Sequence, residues 1–343
     1  MQRWKSAIRT MAIVAVALGA ATAIYAERST IGKGLHNVRS LDWAWVAAAS
    51  LVEVLSMVAL ALLYRELLRA NGARLGITPI LAACYTANVI SVVVPVIGSG
   101  MASRQAYRHF REGGADSAAA SLSLTLAGIV CTVTLATVVT ASAVLSGNPA
   151  AAASGLVVAV ALAGTAVAVA TGLRTAGGRL RLLHFVTTSL RFSQRVVRRP
   201  RGRPETVAEA VMAAVQRMRL GGPTLARILL WGLLNWWTDV ACLAFAMRAA
   251  GIDDLSVGQI LLVWTAGAGA ASLSPTPAGI GVVEIAMVAG MAAVGVRGPA
   301  AITTILVYRI ISLKGAVSLW AVLYGYIQRR RARSPKGDKA DRN

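Results

Sequence analysis

The sequence predicts an all-α fold, a polytopic membrane helical bundle with two interrupted or re-entrant segments. The first reason is composition, since 56% of the 343 residues are hydrophobic and only 14% are charged, whereas soluble globular chains carry about 25% charged residues. The second reason is that the apolar residues are grouped into long runs, and the third is that basic residues lie between these runs. A chain with so few polar residues cannot cover its apolar surface when it folds in water.

Membrane-crossing helices are expected wherever about 20 apolar residues follow one another. The alternative for the first such run, which follows Arg3, Lys5 and Arg9, is a cleaved signal peptide. We interpret it as a retained span, because polytopic proteins commonly begin this way. The candidate runs are Met11–Ala26, Leu41–Leu63, Ile77–Ile97, Ala118–Leu145, Pro149–Leu173, Leu225–Met247, Val257–Leu273, Ile280–Val296 and Ala300–Ile327.

The basic residues predict the orientation of the chain. There are 35 Lys and Arg against 14 Asp and Glu, a net charge of +21, and cytoplasmic loops carry such an excess. We therefore expect a cell-membrane protein with both termini in the cytoplasm. Its membrane domain covers 1–327 and includes a basic cytoplasmic loop at 174–224, and a disordered basic tail covers 328–343. The loop favours a helix lying on the anionic leaflet, with a solvated linker as the alternative. Membrane lipids with anionic headgroups, and not nucleic acid, are the expected partners.

No cofactor, metal or catalytic residue is predicted. Cys84, Cys131 and Cys242 each lie in an apolar run without a CxxC motif, and the three histidines are scattered through polar segments. Zinc sites and disulfide frameworks need closer groupings than this. Outside the apolar runs there is no arrangement of Ser/His/Asp, of Cys/His or of paired carboxylates. The chain is not expected to be an enzyme.

The arginine pattern prevents two of the apolar runs from being simple spans. With the N-terminus inside, the second span returns the chain to the cytoplasm near Arg74, and counting backward from the basic loop places Arg104 inside as well. Ile77–Ile97 therefore begins and ends on one side. By the same reasoning Val257–Val296 enters and leaves from the outer side. Backbone of this kind is tolerated only where protein or a water-filled cavity satisfies its polar groups.

The two interrupted segments resemble each other in sequence. Each has a proline and two glycines at the break, followed by a charged residue in the next turns of helix, as in Pro95 to Arg104 and in Pro277 to Glu284. This pattern is typical of the inverted repeats of secondary transporters. A helix that begins inside the membrane points free N–H groups into the protein and offers a site for phosphate or carboxylate. We expect such a site at Pro275, Pro277, Gly279 and Gly281. The alternative is that Pro277 and the two glycines only permit close helix packing.

Charged residues inside spans are the other candidate site residues, because each costs at least about 2.5 kcal/mol at the bilayer centre. We predict that Arg309 or Arg104 pairs with Glu284, with the polar Asn88 nearby. The alternative for Asp239 is a contact at a span end, and the alternative for Lys314 is snorkelling toward the cytoplasm. The intramembrane charges of this set are Glu53, Asp239, Glu284, Arg309 and Lys314.

The run from Pro275 to Glu284, with Gly295 and Tyr308-Arg309 further on, resembles the signature of the lysylphosphatidylglycerol synthase transmembrane, or flippase-like domain, family. The family usually has glycine where this chain has Ala278. The resemblance implies a membrane domain that moves an anionic or aminoacylated phospholipid, or a lipid-linked precursor, between leaflets. The resemblance does not extend to the soluble synthetase domain of that family, so aminoacyl transfer is not implied. The alternatives are a small-solute secondary transporter and a non-transporting membrane partner of a lipid-modifying enzyme.

Overall fold

A computed structural model describes residues 40–93, 98–145, 221–274, 276 and 279–315. Several sequence predictions lie outside these residues. They are the spans Met11–Ala26 and Pro149–Leu173, most of the basic loop 174–224, the tail 328–343, and the break residues Pro275 and Pro277.

The described residues form helices and no strand. In chain order they are α1 Trp43–Ala70, α2 Ile77–Val93, α3 Gly98–Glu112, α4 Ser117–Leu145, α5 Gly222–Ala249, α6 Val257–Leu273, α7 Val282–Ala293 and α8 Pro299–Arg309, and α8 continues as a π-helical turn, Ile310–Gly315. The predicted all-α fold is confirmed.

Three of these helices, α1, α4 and α5, are long and apolar enough to cross a membrane. They contain 28, 29 and 28 residues, and at 1.5 Å per residue each is about 42 Å long or slightly more. The hydrocarbon core of a bilayer is about 30 Å thick. The other described helices are shorter, and α7 replaces the predicted span Ile280–Val296 with only 12 residues. The helix is shorter than the apolar run at both ends, because Gly281 precedes its first residue and Gly295, at φ of +91°, follows its last turn.

Helices α1 and α5 run antiparallel and pack closely. The Asp42 N–H, at the start of α1, donates to the Ala249 carbonyl at the end of α5, with an N···O distance of 3.1 Å. At the other end Arg227 Nε lies 3.1 Å from Glu66 Oε2. Small residues such as Ala49 are fully buried in this region, and small side chains let membrane helices approach closely. We call the end with Glu66 and Arg227 the basic end, and the end with Asp42 the opposite end.

Two helical hairpins pack against this core from opposite ends. Helices α2 and α3 contact each other along their length, and a Cβ on Gly113, just after α3, would lie 2.7 Å from Leu75, just before α2. The beginning of α2 and the end of α3 therefore lie side by side. Helices α6 and α7 form the second hairpin, in which a Cβ on Gly267 would lie 2.6 Å from Met287.

The direction of each hairpin follows from its neighbours. Arg111, in the last turn of α3, donates to the Ala115 carbonyl just before α4, and Asn71, which caps α1, donates to Ser123 of α4. The two chain ends of the first hairpin therefore lie at the basic end, and its turn points toward the opposite end. A Cβ on Gly258, at the start of α6, would lie 2.4 Å from the Leu145 carbonyl oxygen at the end of α4. The second hairpin thus opens at the opposite end, and whether either hairpin is re-entrant in a membrane stays a prediction.

Two boundaries differ from those expected. The predicted span Leu225–Met247 is part of a longer helix, since α5 begins at Gly222 with proline in its first turn. Proline suits that position because the first helical N–H groups have no intrahelical partner. The predicted span Ala300–Ile327 begins as α8 and changes to a π-helical turn after Arg309, and such turns often lie at functional sites.

Candidate functional site

A cavity of about 540 Å³ lies among the packed helices. Its walls come from α1, α2, α4, α5, α6, α7 and α8, so both hairpins contribute to it. This volume is within the range of roughly 300 to 1,000 Å³ that is typical of ligand pockets. The polar and charged residues of the lining include Glu53, Ser56, Asn88, Asn235, Asp239 and Arg309.

The charged groups of the cavity lie at one depth. Glu53 is ten residues after the start of α1 at Trp43, and Asp239 is ten residues before the end of α5 at Ala249. Since these two helix ends are joined by a hydrogen bond, both carboxylates lie about 15 Å from the opposite end. Arg309 is likewise ten residues after the start of α8 at Pro299. The sequence spacing therefore brings charges from three helices to one level inside the bundle.

Glu284 and Arg309 form an ion pair beside the cavity. Arg309 Nε donates to Glu284 Oε1 with an N···O distance of 2.6 Å, and the two side chains are 13% and 24% exposed, for Arg309 and Glu284 respectively. One of the two predicted partners of Glu284 is thus present. Charge-assisted hydrogen bonds of this length are about twice as strong as neutral ones.

The second carboxylate oxygen of Glu284 occupies the start of α7. The Gly281 N–H donates to Glu284 Oε2 at 2.6 Å. We had expected free N–H groups near Gly279 and Gly281 to form an open anion site. Instead an internal carboxylate already holds the Gly281 N–H, and the Gly279 N–H donates to the Thr276 carbonyl at 3.1 Å. The anion that the helix start favours is supplied by the third residue of the helix itself.

Both glycines are required by the backbone of the break. Gly279 has φ of +69° and Gly281 has φ of +87°, a left-handed region that costs other residues roughly 1 kcal/mol or more. A Cβ on Gly279 would also lie 2.4 Å from Val283 Cγ2. The glycines therefore set the turn that places Glu284 opposite Arg309, and Gly279 also leaves room for Val283 in the first turn of α7.

Asp239 is held from two sides by neutral donors. Tyr308 Oη donates to Asp239 Oδ1 at 3.0 Å, and Trp264 Nε1 donates to Asp239 Oδ2 at 3.1 Å. Trp264 also packs edge to face against Trp236, with ring centroids 5.8 Å apart. Because Asp239 lies ten residues inside α5, the alternative reading of it as a contact at a span end is wrong.

The α1 side of the cavity is polar as well. Ser56 Oγ donates to the Asn235 carbonyl oxygen at 2.8 Å and joins α1 to α5. Asn88 lies in the lining, with its Nδ2 3.8 Å from Met57 Sδ. Glu53 also lines the cavity, and its Oε2 is buried without a hydrogen-bond partner.

One predicted site residue is not at the cavity. Arg104 is exposed on α3 and is not part of the lining, so it does not share Glu284 with Arg309. The backbone of Lys314 lies in the π-helical turn that follows α8, and its side chain is outside the described part of the chain.

Sequence reasoning missed Trp264 and Ser56 as polar neighbours of the cavity. The one available signal was an indole N–H within an apolar run, which needs a partner when it is buried.

The fold and the cavity together define a polytopic α-helical membrane protein with a charged cavity inside its bundle. Residues 12–320 match the family model described as the lysylphosphatidylglycerol synthase TM region. The chain belongs to this family, which confirms the resemblance seen in the sequence. Among curated proteins, none matches the chain.

Proposed function

We propose that this chain translocates a phospholipid between leaflets, with the headgroup passing through the cavity while the acyl chains remain in the lipid. The lipid would be an anionic or aminoacylated phospholipid or a lipid-linked precursor. The observation that carries the proposal is the Glu284–Arg309 pair at the cavity wall, which places a guanidinium inside the bundle at the level of Glu53 and Asp239. Intramembrane charges are expensive and usually mark substrate pathways.

Arg309 is the group that would receive the headgroup phosphate. Its guanidinium presents several N–H donors in a planar fork that matches phosphate oxygens. The Glu284 carboxylate contacts the Nε of this fork at 2.6 Å. A phosphate can bind the guanidinium beside this carboxylate or replace it. In either case the guanidinium offsets part of the cost of taking a charged headgroup through hydrocarbon.

Glu284 is a positioning residue in this proposal. Its carboxylate joins the α7 start at Gly281 to Arg309, so it keeps the guanidinium in one orientation when no headgroup is bound. A headgroup phosphate that replaces it would release the α7 start from α8. The hairpin α6 and α7 could then change its contact with α8 in response to the substrate.

Two further statements belong to this proposal. The basic segments support a cell-membrane location with both termini in the cytoplasm. A lipid-modifying enzyme that supplies the aminoacylated or precursor lipid is the partner that this activity requires. Enzymatic activity is not part of the proposal.

The test is reconstitution in liposomes that contain phospholipids with fluorophore-labelled acyl chains, with the outer leaflet quenched chemically. Separate preparations contain labelled phosphatidylglycerol, its lysyl ester and a zwitterionic phospholipid. We expect the chain to accelerate movement of at least one of these above protein-free liposomes, and Arg309→Gln to abolish the acceleration. Glu284→Gln should slow it.

A matched control is available at the basic end. Arg227→Gln breaks another Arg–Glu contact between helices, at 3.1 Å from Glu66, but outside the cavity, and it should leave lipid movement unchanged. Wild-type lipid movement in Arg309→Gln would overturn the proposal. Uptake of a small solute without lipid movement would favour the secondary transporter instead, and neither activity would favour the non-transporting partner.

A further inference from the structure

Among the residues that the structure describes, the cavity contains more acidic than basic groups. Glu53 and Asp239 line it from α1 and α5, each ten residues from the helix ends that are joined at the opposite end. The described guanidinium of the lining, Arg309, is already paired with a third carboxylate, that of Glu284. With all four groups ionised, three negative charges face one positive charge. Buried charges without a compensating partner are very costly, so this set of residues calls for another positive charge.

The two lining carboxylates differ in what surrounds them. Both oxygens of Asp239 accept a hydrogen bond, from Tyr308 and from Trp264. Glu53 lines the cavity, and one of its oxygens, Oε2, is buried and accepts no hydrogen bond. A second unpartnered polar atom, Ser312 Oγ, is buried at the same cavity. Unsatisfied groups of this kind point to a bound species that the protein atoms alone do not include.

We propose that Glu53, together with Asp239, is a proton-binding site, and that the proton is exchanged with water through the cavity during the transport cycle. The proton transfer conserves atoms and charge. A hydronium ion delivers its proton to Glu53, forming the carboxyl O–H bond and leaving water, and the reverse step releases the proton. Neutral Glu53 reduces the excess of negative charge by one. Coupling of this proton to lipid movement rests on the function proposed above, but proton binding itself does not.

The surroundings of Glu53 favour a proton over a metal ion. Within the described residues there is no group of three or more His, Cys, Asp or Glu side chains that could hold a metal. Several titratable and charged groups face Glu53 from the neighbouring helices, and Glu284 lies behind Arg309. The full set is Asp239, Cys242, Tyr85, Tyr308, Arg309 and Glu284. Only Arg309 in this set carries a positive charge, and Glu284 holds it.

Proton binding would also help an anionic headgroup to enter. A phosphate that approaches Arg309 must come to the level of Glu53 and Asp239, and like charges in a cavity of low dielectric repel strongly. Neutral Glu53 removes part of that repulsion. The proton and the phosphate should therefore enter together, and acid on the entry side should speed headgroup movement.

The first experiment measures proton binding without any transport. Infrared difference spectra of the purified chain, in a detergent without ester groups, are recorded as pH is changed. We expect a carbonyl band of a protonated carboxylic acid that shifts in D₂O and is lost in Glu53→Gln. Glu66→Gln, on the same helix but at the basic end, is the matched control and should keep the band. Asp239→Asn provides a second variant, which should shift or remove the band. A spectrum with no such band, or a band unaffected by both cavity variants, would overturn the proposal.

The second experiment measures coupling in the reconstituted liposomes. Wild-type lipid movement should become faster as pH falls on the entry side, whereas Glu53→Gln, which mimics the neutral form, should lose this response. The same response in wild type and in both cavity variants would exclude coupling. The outcomes separate the two proposals. A carboxylic acid band without lipid movement retains the proton site and rejects the function, while lipid movement without the band does the opposite.

Discussion

The Glu284–Arg309 pair leads to a prediction whose size can be worked out in advance. We would replace Glu284 by Gln, Arg309 by Gln, and then both, and measure the free energy of unfolding of each variant in detergent. Gln at 284 keeps a carbonyl oxygen that can accept from the Gly281 N–H, so this change removes the contact with Arg309 while leaving the helix cap. The double-mutant cycle then isolates the coupling between the two side chains.

The expected coupling energy is about 2 kcal/mol. Hydrogen bonds to charged groups contribute about 1.5 to 3 kcal/mol, and breaking a fully buried ion pair costs about 3 to 5 kcal/mol. The side chains here are 13% and 24% exposed, so the upper values do not apply. The Glu66–Arg227 pair provides the comparison. Its arginine is 51% exposed, and exposed pairs couple by only about 0.2 to 1 kcal/mol.

Unfolding in denaturant, followed by tryptophan fluorescence and by circular dichroism, gives the four free energies of each cycle. The reasoning would be refuted if the two cycles gave equal coupling energies, or if the Glu284–Arg309 coupling were below about 0.5 kcal/mol. A large coupling at Glu66–Arg227 would equally show that burial does not decide the strength of these contacts.

The other stability predictions concern packing and polar contacts at the cavity wall. Gly267→Ala should destabilise the chain by about 1 to 3 kcal/mol, because the new Cβ would lie 2.6 Å from Met287, whereas Gly269→Ala, whose Cβ would meet no atom within 4 Å, should cost little in the same unfolding assay. Tyr308→Phe should cost about 1 to 3 kcal/mol, because it leaves one oxygen of Asp239 without its hydrogen bond. An unchanged midpoint in Tyr308→Phe would show that water readily replaces the phenol.

The long helices were the most predictable part of the fold. The run Leu225–Met247 lies within α5, Gly222–Ala249, and the run Ala118–Leu145 matches α4, Ser117–Leu145, to one residue. Hydrophobic length alone identifies such helices because every backbone polar group must be bonded within the helix in lipid. The arginine argument wrongly predicted that Ile77–Ile97 begins and ends on one side, because α2, Ile77–Val93, is a continuous helix and the chain returns through α3, Gly98–Glu112. It still singled out both interrupted segments. Their ends could not be placed, since glycine and proline at a break delay a helix by several residues without changing hydropathy.

The site was predictable in its charges and less so in its contacts. A glutamate and an arginine in apolar runs must find partners, which is why Glu284 was expected to pair with an arginine. Sequence could not choose between Arg309 and Arg104, because the choice depends on which helix packs beside α7. Nor could it show that Glu284 would reach back to Gly281, since a carboxylate three residues into a helix can equally face solvent.

The occupied start of α7 changes the role expected for the break. An empty helix N-terminus would bind phosphate directly, and Arg309 would only assist. Since Glu284 already holds the Gly281 N–H and also Arg309, an incoming phosphate can either compete with this carboxylate or contact the guanidinium beside it. Competition requires that Glu284 loses its two contacts, each with an N···O distance of 2.6 Å, so headgroup binding and movement of α7 would be the same event. Glu284→Gln separates the two possibilities, because a weaker internal ligand should tighten headgroup binding if phosphate competes with it. If the phosphate contacts the guanidinium without displacing Glu284, the same change should loosen the guanidinium and weaken binding.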